Sequence, residues 1–202
     1  MKLTRERIVE AGLVTFAEHG YQGLSMRQVA ERLGVHAGSL YYHVRNKDAL
    51  LALLADRVAA RAYDAGERAL ADLPPGADWV DRVEAQAVAL RLTLREHAGG
   101  PLLLAGSPSM LSPGALSLME RLLATLRDAG VPDRDRPVAA DVLMSHVTGF
   151  VLQEQAKPEI PPSAHADMAA LAARFPLTFA AGAHDTDELF TRSIRLLCAK
   201  LI

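Results

Sequence analysis

Residues 24–51 read LSMRQVAERLGVHAGSLYYHVRNKDALL and concentrate side chains that bond phosphates and base edges. Tyr41 and Tyr42 are adjacent, and successive helical residues point in different directions, so two neighbouring aromatics cannot both face one core. Leu40 takes the inward position, which leaves His36, Ala37, Ser39, Tyr41, Tyr42 and His43 largely outward. The small residues Ala37 and Gly38 allow a helix N-terminus to approach base edges closely. Hydroxyl and imidazole groups bond phosphates. Lys47, at the start of the next helix, adds charge next to a positive dipole end. Arg27 and Ser25, at the start of the supporting helix, belong to the same candidate set; an arginine there reaches a phosphate or a guanine edge.

Each of these residues also has a plainer role. Arg27 is equally a surface ion-pair partner, His36 a solvent-exposed turn residue, and the whole region a helical bundle with a solvated basic face. Charge distribution favours the first reading. Residues 1–47 hold seven basic against four acidic side chains, a net charge of +3, within a chain of net −2, so the remainder carries −5. A small basic head on an acidic body has a local electrostatic footprint suited to nucleic acid.

The elements that position these residues are legible as helices. Thr4 caps a helix with Ile8, Val9, Leu13 and Phe16 at helical spacing, and Gly20 stops it. Ser25 followed by Gln28 is a capping-box pattern opening a short helix, which Gly34 ends. A second short helix follows over 36–43. Two short helices around a tight glycine-containing turn make a helix-turn-helix. A longer helix runs from about Lys47 towards Leu73. Further helices are expected from Asp78 to His97, from Ser112-Pro113 to Ala129, from Asp135 to Pro158, over 164–174, and from Asp185 to Ile202. A brief apolar piece, LLLA, follows Gly99-Gly100-Pro101, and a loop follows residue 174. No strand of weight and no internal repeat appears, so the fold class is all-α.

Other chemistry finds little support. Seven histidines include no H-x-x-x-H pair, so neither a metal nor a cofactor is expected. Ser107 lacks a G-x-S-x-G context, and Cys198, among Ile194, Leu197 and Leu201, reads as core packing. Met110, Met119, Met144 and Met168 suit either an adaptable pocket or core filling. The lone cysteine fits a reducing compartment, no apolar run reaches transmembrane length, and charges begin at Lys2. A soluble cytoplasmic protein with no membrane partner is expected.

Residues 3–50 resemble the DNA-binding domain of the TetR family of bacterial transcriptional regulators, through GYQGLSMRQVA (20–30) and LGVHAGSLYYHVRNK (33–47). In the body, REHAGGPLLLAGSP (95–108), TGFVLQEQ (148–155) and FTRSIRLL (190–197) are similar to the tetracycline-repressor branch. The resemblance implies a helix-turn-helix domain over 1–47, a linking helix over 47–73, and a ligand-binding and dimerisation domain over 48–202. It implies double-stranded DNA with a palindromic operator as partner, a small-molecule effector, and a homodimer through the helices near 137–156 and 186–201. Polar pocket positions of that branch fall near Tyr63, Gln86 and Ser107. Leu90, His97, Leu103, Leu104, Met119, Val147, Phe150 and Gln153 complete the candidate ligand-binding set. In that branch a histidine and a glutamate help to hold a drug-bound magnesium. The positions falling there are Leu103 or Leu104, and Gln153; a leucine cannot ligate a hard cation and a neutral amide replaces a carboxylate poorly. The effector is therefore expected to be mostly apolar and metal-free.

The expected function is a ligand-responsive transcriptional regulator, a repressor by family resemblance. Rival readings are a small-molecule-binding helical protein or enzyme with an incidental head, and an architectural DNA binder. The first lacks a nucleophile–base pair, a phosphate loop or metal spacing; the second calls for a more basic chain and a smaller body.

Overall fold

A computed structural model describes residues 2–106, 112–156, 168–180 and 185–201. Among these residues every element is a helix: α1 Arg5–Gly23, α2 Met26–Leu33, α3 Ala37–Tyr41, α4 Lys47–Ala71, α5 Trp79–Glu96, α6 Gly100–Gly106, α7 Pro113–Asp128, α8 Arg136–Gln155, α9 Met168–Arg174, α10 Pro176–Ala180 and α11 Thr186–Cys198.

The starts follow the capping chemistry. Thr4 Oγ1 accepts from the Arg7 N–H at 3.3 Å, Asn46 Oδ1 from Ala49 at 2.8 Å and Ser112 Oγ from Ala115 at 3.4 Å. Asp78 and Asp81 form a reciprocal capping box. At Ser25 the hydroxyl accepts from the Gln28 N–H at 3.3 Å and donates to Gln28 Oε1 at 2.8 Å, a variant in which glutamine reaches the cap's hydroxyl. The backbone leaves helical geometry at Gly20 (φ 67°, ψ −174°), a conformation only glycine adopts readily, so α1 breaks there.

The C-terminal elements differ from expectation in two places. α10 is a helix where the sequence pattern predicts a loop, since Pro176 suits a first helical position. α11 closes at Cys198 rather than at the chain's last residue. α9 ends at Arg174 as expected; its expected start near residue 164 and the proline-rich segment 157–165 lie outside the described residues.

One apolar core runs through the molecule. α1, α5, α6 and α7 all pack on α4; α8 lies against α5, α6 and α7, and α11 against α5 and α8. The core of the N-terminal head includes α4 itself. Gly12 on α1 sits so close that a Cβ there would meet Leu54 Cδ2 at 2.9 Å and Leu50 Cδ1 at 3.3 Å. Met168, Leu171, Phe175, Leu177 and Phe179 on and between α9 and α10 are exposed.

Arg91 joins α5, α8 and α11. Its side chain is 3 % exposed, donates to both Glu154 oxygens at 3.0 and 2.6 Å and to Asp187 Oδ1 at 2.7 Å. Its guanidinium lies 5.3 Å from the Phe150 ring and 4.8 Å from that of Phe190, which meet edge to face at 5.0 Å. The Glu154 carboxylate, ahead of that of Asp187, raises the arginine's pKa against the effect of burial. Arg91→Met is expected to destabilise the fold by about 3–5 kcal/mol in urea unfolding, because it strands Glu154, itself largely buried, without its partner. A loss below about 1 kcal/mol would mean that water takes over the partner's role.

Candidate nucleic-acid interface and ligand cavity

α2 ends at Gly34 in the left-handed region (φ 67°, ψ 33°), where the Gly34 N–H bonds the Ala30 and Glu31 carbonyls, and the Val35 N–H reaches Ala30 O at 3.1 Å. This turn sets α3 across α2. Leu40 is fully buried and anchors α3, while Tyr42 is 91 % exposed and Tyr41 53 %. His36, Gly38 and Arg27 are exposed, and Ala37, Ser39, His43 and Ser25 are half-buried at the same surface. The arrangement leaves hydroxyls, imidazoles and an aromatic pair accessible on and around α3, which buried Leu40 anchors.

The head's cations divide into structural and available ones. Arg32 donates Nε–H to Thr15 Oγ1 at 3.0 Å and pairs with Glu18, which fastens α2 to α1. Lys47 donates from Nζ to the Tyr21 carbonyl at 2.8 Å and the Gln22 carbonyl at 3.4 Å, and lies 5.7 Å from the Tyr21 ring. One of its three N–H groups is left for a phosphate. Arg27 Nε–H pairs with Glu31 at 2.9 Å across one exposed helical turn, leaving its other N–H groups free. Arg45, exposed between buried Val44 and the Asn46 cap, belongs with these residues and was missed. Its place between a core residue and a helix cap was the available signal.

In the body two cavities adjoin. The larger, about 580 Å³, lies among α4, α6, α7 and α8, with Leu104, Met119 and Ala105 in its wall. The smaller, about 20 Å³, lies among α5, α7 and α8 and is walled by Gln86, Leu90, Val147 and other aliphatic residues together with Arg121. Leu118 and Met144 belong to both walls. Of the remaining candidates, Tyr63 presents its carbonyl and ring to Arg121, at 2.5 and 4.6 Å. Leu103 is buried on the inner side of α6 and Phe150 packs on Arg91. Gln153 is exposed, and Ser107 lies outside the described residues. Leu103 and Leu104 offer only hydrocarbon, so the residues present do not fit a ligand-borne magnesium ion.

His97 is held away from both cavities. Its Nδ1–H donates to the Thr93 carbonyl at 2.8 Å, so Nε2 accepts from Arg61 Nη1 at 2.8 Å. His146 links α8 to α11. Ser193 Oγ donates to Phe190 O at 2.6 Å and accepts from His146 Nε2–H at 2.6 Å, and burial lowers the imidazole's pKa. Burial likewise pushes the Cys198 thiol up to about 11, which suits packing rather than nucleophilic chemistry.

Residues 8–54 match the family described as bacterial regulatory proteins, tetR family, and residues 73–199 match the tetracyclin repressor-like C-terminal domain. The chain belongs to the TetR family. It is 35 % identical over 152 residues to an HTH-type transcriptional regulator of Saccharopolyspora erythraea, covering 75 % of this chain and 61 % of that protein. It is 36 % identical over 149 residues to the HTH-type transcriptional repressor DrrR1 of Streptomyces coeruleorubidus, covering 73 % and 52 %. The chain thus spans between half and two thirds of the length of these relatives. Among solved structures, apo ActR from Streptomyces coelicolor superposes with a TM-score of 0.80 at 27 % identity, covering 100 % of this chain and 95 % of that one. ActR has also been solved in complex with (S)-DNPA, with a TM-score of 0.76 at 26 % identity, covering 100 % and 98 %.

Within this TetR-type head, the two Lys47–carbonyl bonds have a consequence independent of DNA. Lys47→Met is expected to lower stability by about 1.5–3 kcal/mol in urea unfolding, the range for hydrogen bonds to charged groups. An unchanged midpoint would show that the ammonium is not committed to α1.

Proposed function

We propose that the chain is a ligand-responsive, sequence-specific DNA-binding repressor, acting as a twofold dimer on a palindromic operator. The observation that carries this reading is the exposed Tyr41–Tyr42 pair on a recognition helix anchored by buried Leu40. The head over 1–47 reads DNA, and the body over 48–202 dimerises and holds a mostly apolar effector. Family membership and the named regulators and repressors among its relatives support it.

Dimerisation is supported by α8 and α11. On α8 the outward residues Val138, Val142, Ser145, Gly149 and Leu152 recur at alternating intervals of four and three, the spacing of a helix–helix seam. On α11, Leu189 and Leu196 are exposed beside it. Val147, Val151 and Ile194, by contrast, are buried within one chain and complete its own core. A second copy covering this seam also borders the larger cavity, whose wall includes Asp141, Ser145 and Gly149 of α8.

The route from cavity to head runs through α6. Leu104 and Ala105 line the larger cavity, while Gly106 at the end of the same helix lies against Tyr21 of the head, where a Cβ would meet Tyr21 Cε2 at 3.7 Å. At the other end Gly99 (φ 74°) sits so close to Phe16 that a Cβ would meet its ring at 2.7 Å. Arg61 on α4 bridges the same corner, donating to Glu10 of α1 at 2.9 and 2.8 Å and to His97 at 2.8 Å. An effector that displaces α6 therefore presses on Phe16 and Tyr21 and alters the head's seating on α4. The separation of the two heads, roughly 34 Å or a multiple in a DNA-binding dimer, changes with it.

Selection from a random DNA pool at physiological salt is expected to recover one palindrome. Arg27→Ala should weaken that operator by about 1–3 kcal/mol if the side chain leaves Glu31 for a guanine edge. Equal weakening on random DNA would assign Arg27 to a phosphate instead, and recovery of no sequence would remove the regulator reading.

Because coupling between sites is reciprocal, operator binding should slow amide exchange at residues 97–100. In Arg61→Met that protection is expected to stay within the head. Protection of the corner in the variant as strong as in the parent protein would exclude the Arg61 bridge.

A further inference from the structure

We propose that Arg121 reads the effector, and that the effector joins an apolar body to an anionic oxygen. The inference rests on the effector-binding reading above and names the chemistry of that same cavity.

The smaller cavity is aliphatic except for Gln86 and Arg121. Gln86 is fully occupied: its amide donates to Thr125 Oγ1 at 2.9 Å and to the Arg82 carbonyl at 3.0 Å, and its Oε1 accepts from Arg121 Nε at 3.1 Å. Arg121 is not. Its side chain is 8 % exposed; Nη1 donates to the Tyr63 carbonyl and, at 3.3 Å, to Glu67. Nη2 is buried with no hydrogen-bond partner among the described residues. Among the described residues the one carboxylate within 4 Å of the guanidinium, Glu67, is 51 % exposed and solvated, which weakens the compensation. A buried guanidinium with a spare N–H and no buried counter-charge is matched by an anionic acceptor. One water fits the space of about 20 Å³, yet a water leaves the charge uncompensated; Nη2 itself lies nearest Gly66 of α4, so the guanidinium turns to meet an anion in the cavity.

The larger cavity supplies room for the rest of the ligand. Met144 and Leu118 form the partition between the two spaces, and a methionine side chain turns readily about its single bonds. With Met144 turned aside, an elongated molecule fills the outer space with its apolar part and places its anionic end at Arg121. The guanidinium plane also rests on Gly66 of α4, where a side chain would collide with it. An anion that draws Arg121 into the cavity therefore withdraws it from Tyr63, Gly66 and Glu67, all on the helix that carries the head.

The test measures thermal shifts of the full chain with decanoate and 2-naphthoate, against decan-1-ol and 2-naphthol as probes of the same apolar shape. The acids are expected to bind about tenfold or more tightly than their neutral counterparts, the range of a charge-assisted hydrogen bond. Arg121→Gln should abolish this preference. Glu67→Gln, which removes the competing carboxylate from an exposed position, should strengthen it and stands as evidence even if Arg121→Gln fails to fold. Equal binding of acids and alcohols, no shift with either acid, or a preference kept by Arg121→Gln overturns the proposal. Operator selection reads the underlying reading separately. A protein that selects an operator but does not prefer acids has lost only the Arg121 assignment, and one that selects none has lost the regulator reading whichever acid it binds.

Discussion

The close seating of α7 on the backbone of α4 is the constraint on which the arrangement depends. At Gly114 a Cβ would meet the Asp56 carbonyl at 2.5 Å and the Ala60 nitrogen at 2.8 Å, so no other residue fits without parting the helices. The Gly114 N–H donates to Asp56 Oδ1 at 2.7 Å, which gives the first turn of α7 an acceptor from α4. Farther along, Arg121 of α7 lies on Gly66 of α4. Between these contacts Ala59 and Ala62 are fully buried. Small residues on one helix and glycine on the other bring the axes together, and the N-terminal half of α4 is core for the head. A change in how α7 sits is therefore a change in how the head is held.

Two buried arginines show how differently one side chain can be placed in this body. Arg91 meets two carboxylates and two aromatic faces, and it locks α5 to α8 and α11. Such a fully paired group resists displacement, because removing either partner leaves a charge in the interior. Arg121 meets a carbonyl, an amide and one solvated carboxylate. The first suits a permanent joint beside the proposed dimer seam. The second suits a joint that a ligand can take over.

The head was more legible than the body for a physical reason. Ser25, Gly34, Leu40 and Asn46 act through local geometry, as cap, left-handed turn, anchor and cap, and local geometry is written in short spacings. The exposure of both Tyr41 and Tyr42 followed from Leu40 taking the inward position beside them. In the body the helix starts at Asp78, Ser112 and Asp185 were readable for the same reason. What the pattern did not distinguish was which apolar stripe faces inward. Val142 and Val147 are both valines on α8, and only packing decides that the first is exposed and the second buried. Charged residues on helices were harder still. Glu10, Arg61, Arg91 and Arg121 each look like part of a solvated face, and the side chains they bond on other elements lie 35 or more residues away. No spacing rule reaches that far.

Energetics limits what an effector must be to move this assembly. Shifting a two-state equilibrium from 1:99 to 99:1 requires a differential affinity of about 5.5 kcal/mol. One charge-assisted hydrogen bond contributes about 1.5–3 kcal/mol, so an anion at Arg121 is insufficient alone. Burial of apolar surface contributes about 25 cal/mol per Å², and some 100–150 Å² in the larger cavity would add about 2.5–4 kcal/mol. A small anion lacks the second contribution and a plain hydrocarbon lacks the first. Together they total about 4–7 kcal/mol, which brackets the required difference when both arise only in the state where α6 has moved and Arg121 has left α4. The proposed amphiphilic effector and the proposed switch therefore share one physical basis: in both, an apolar part acts on α6, an anionic part on α4, and both helices bear on the head.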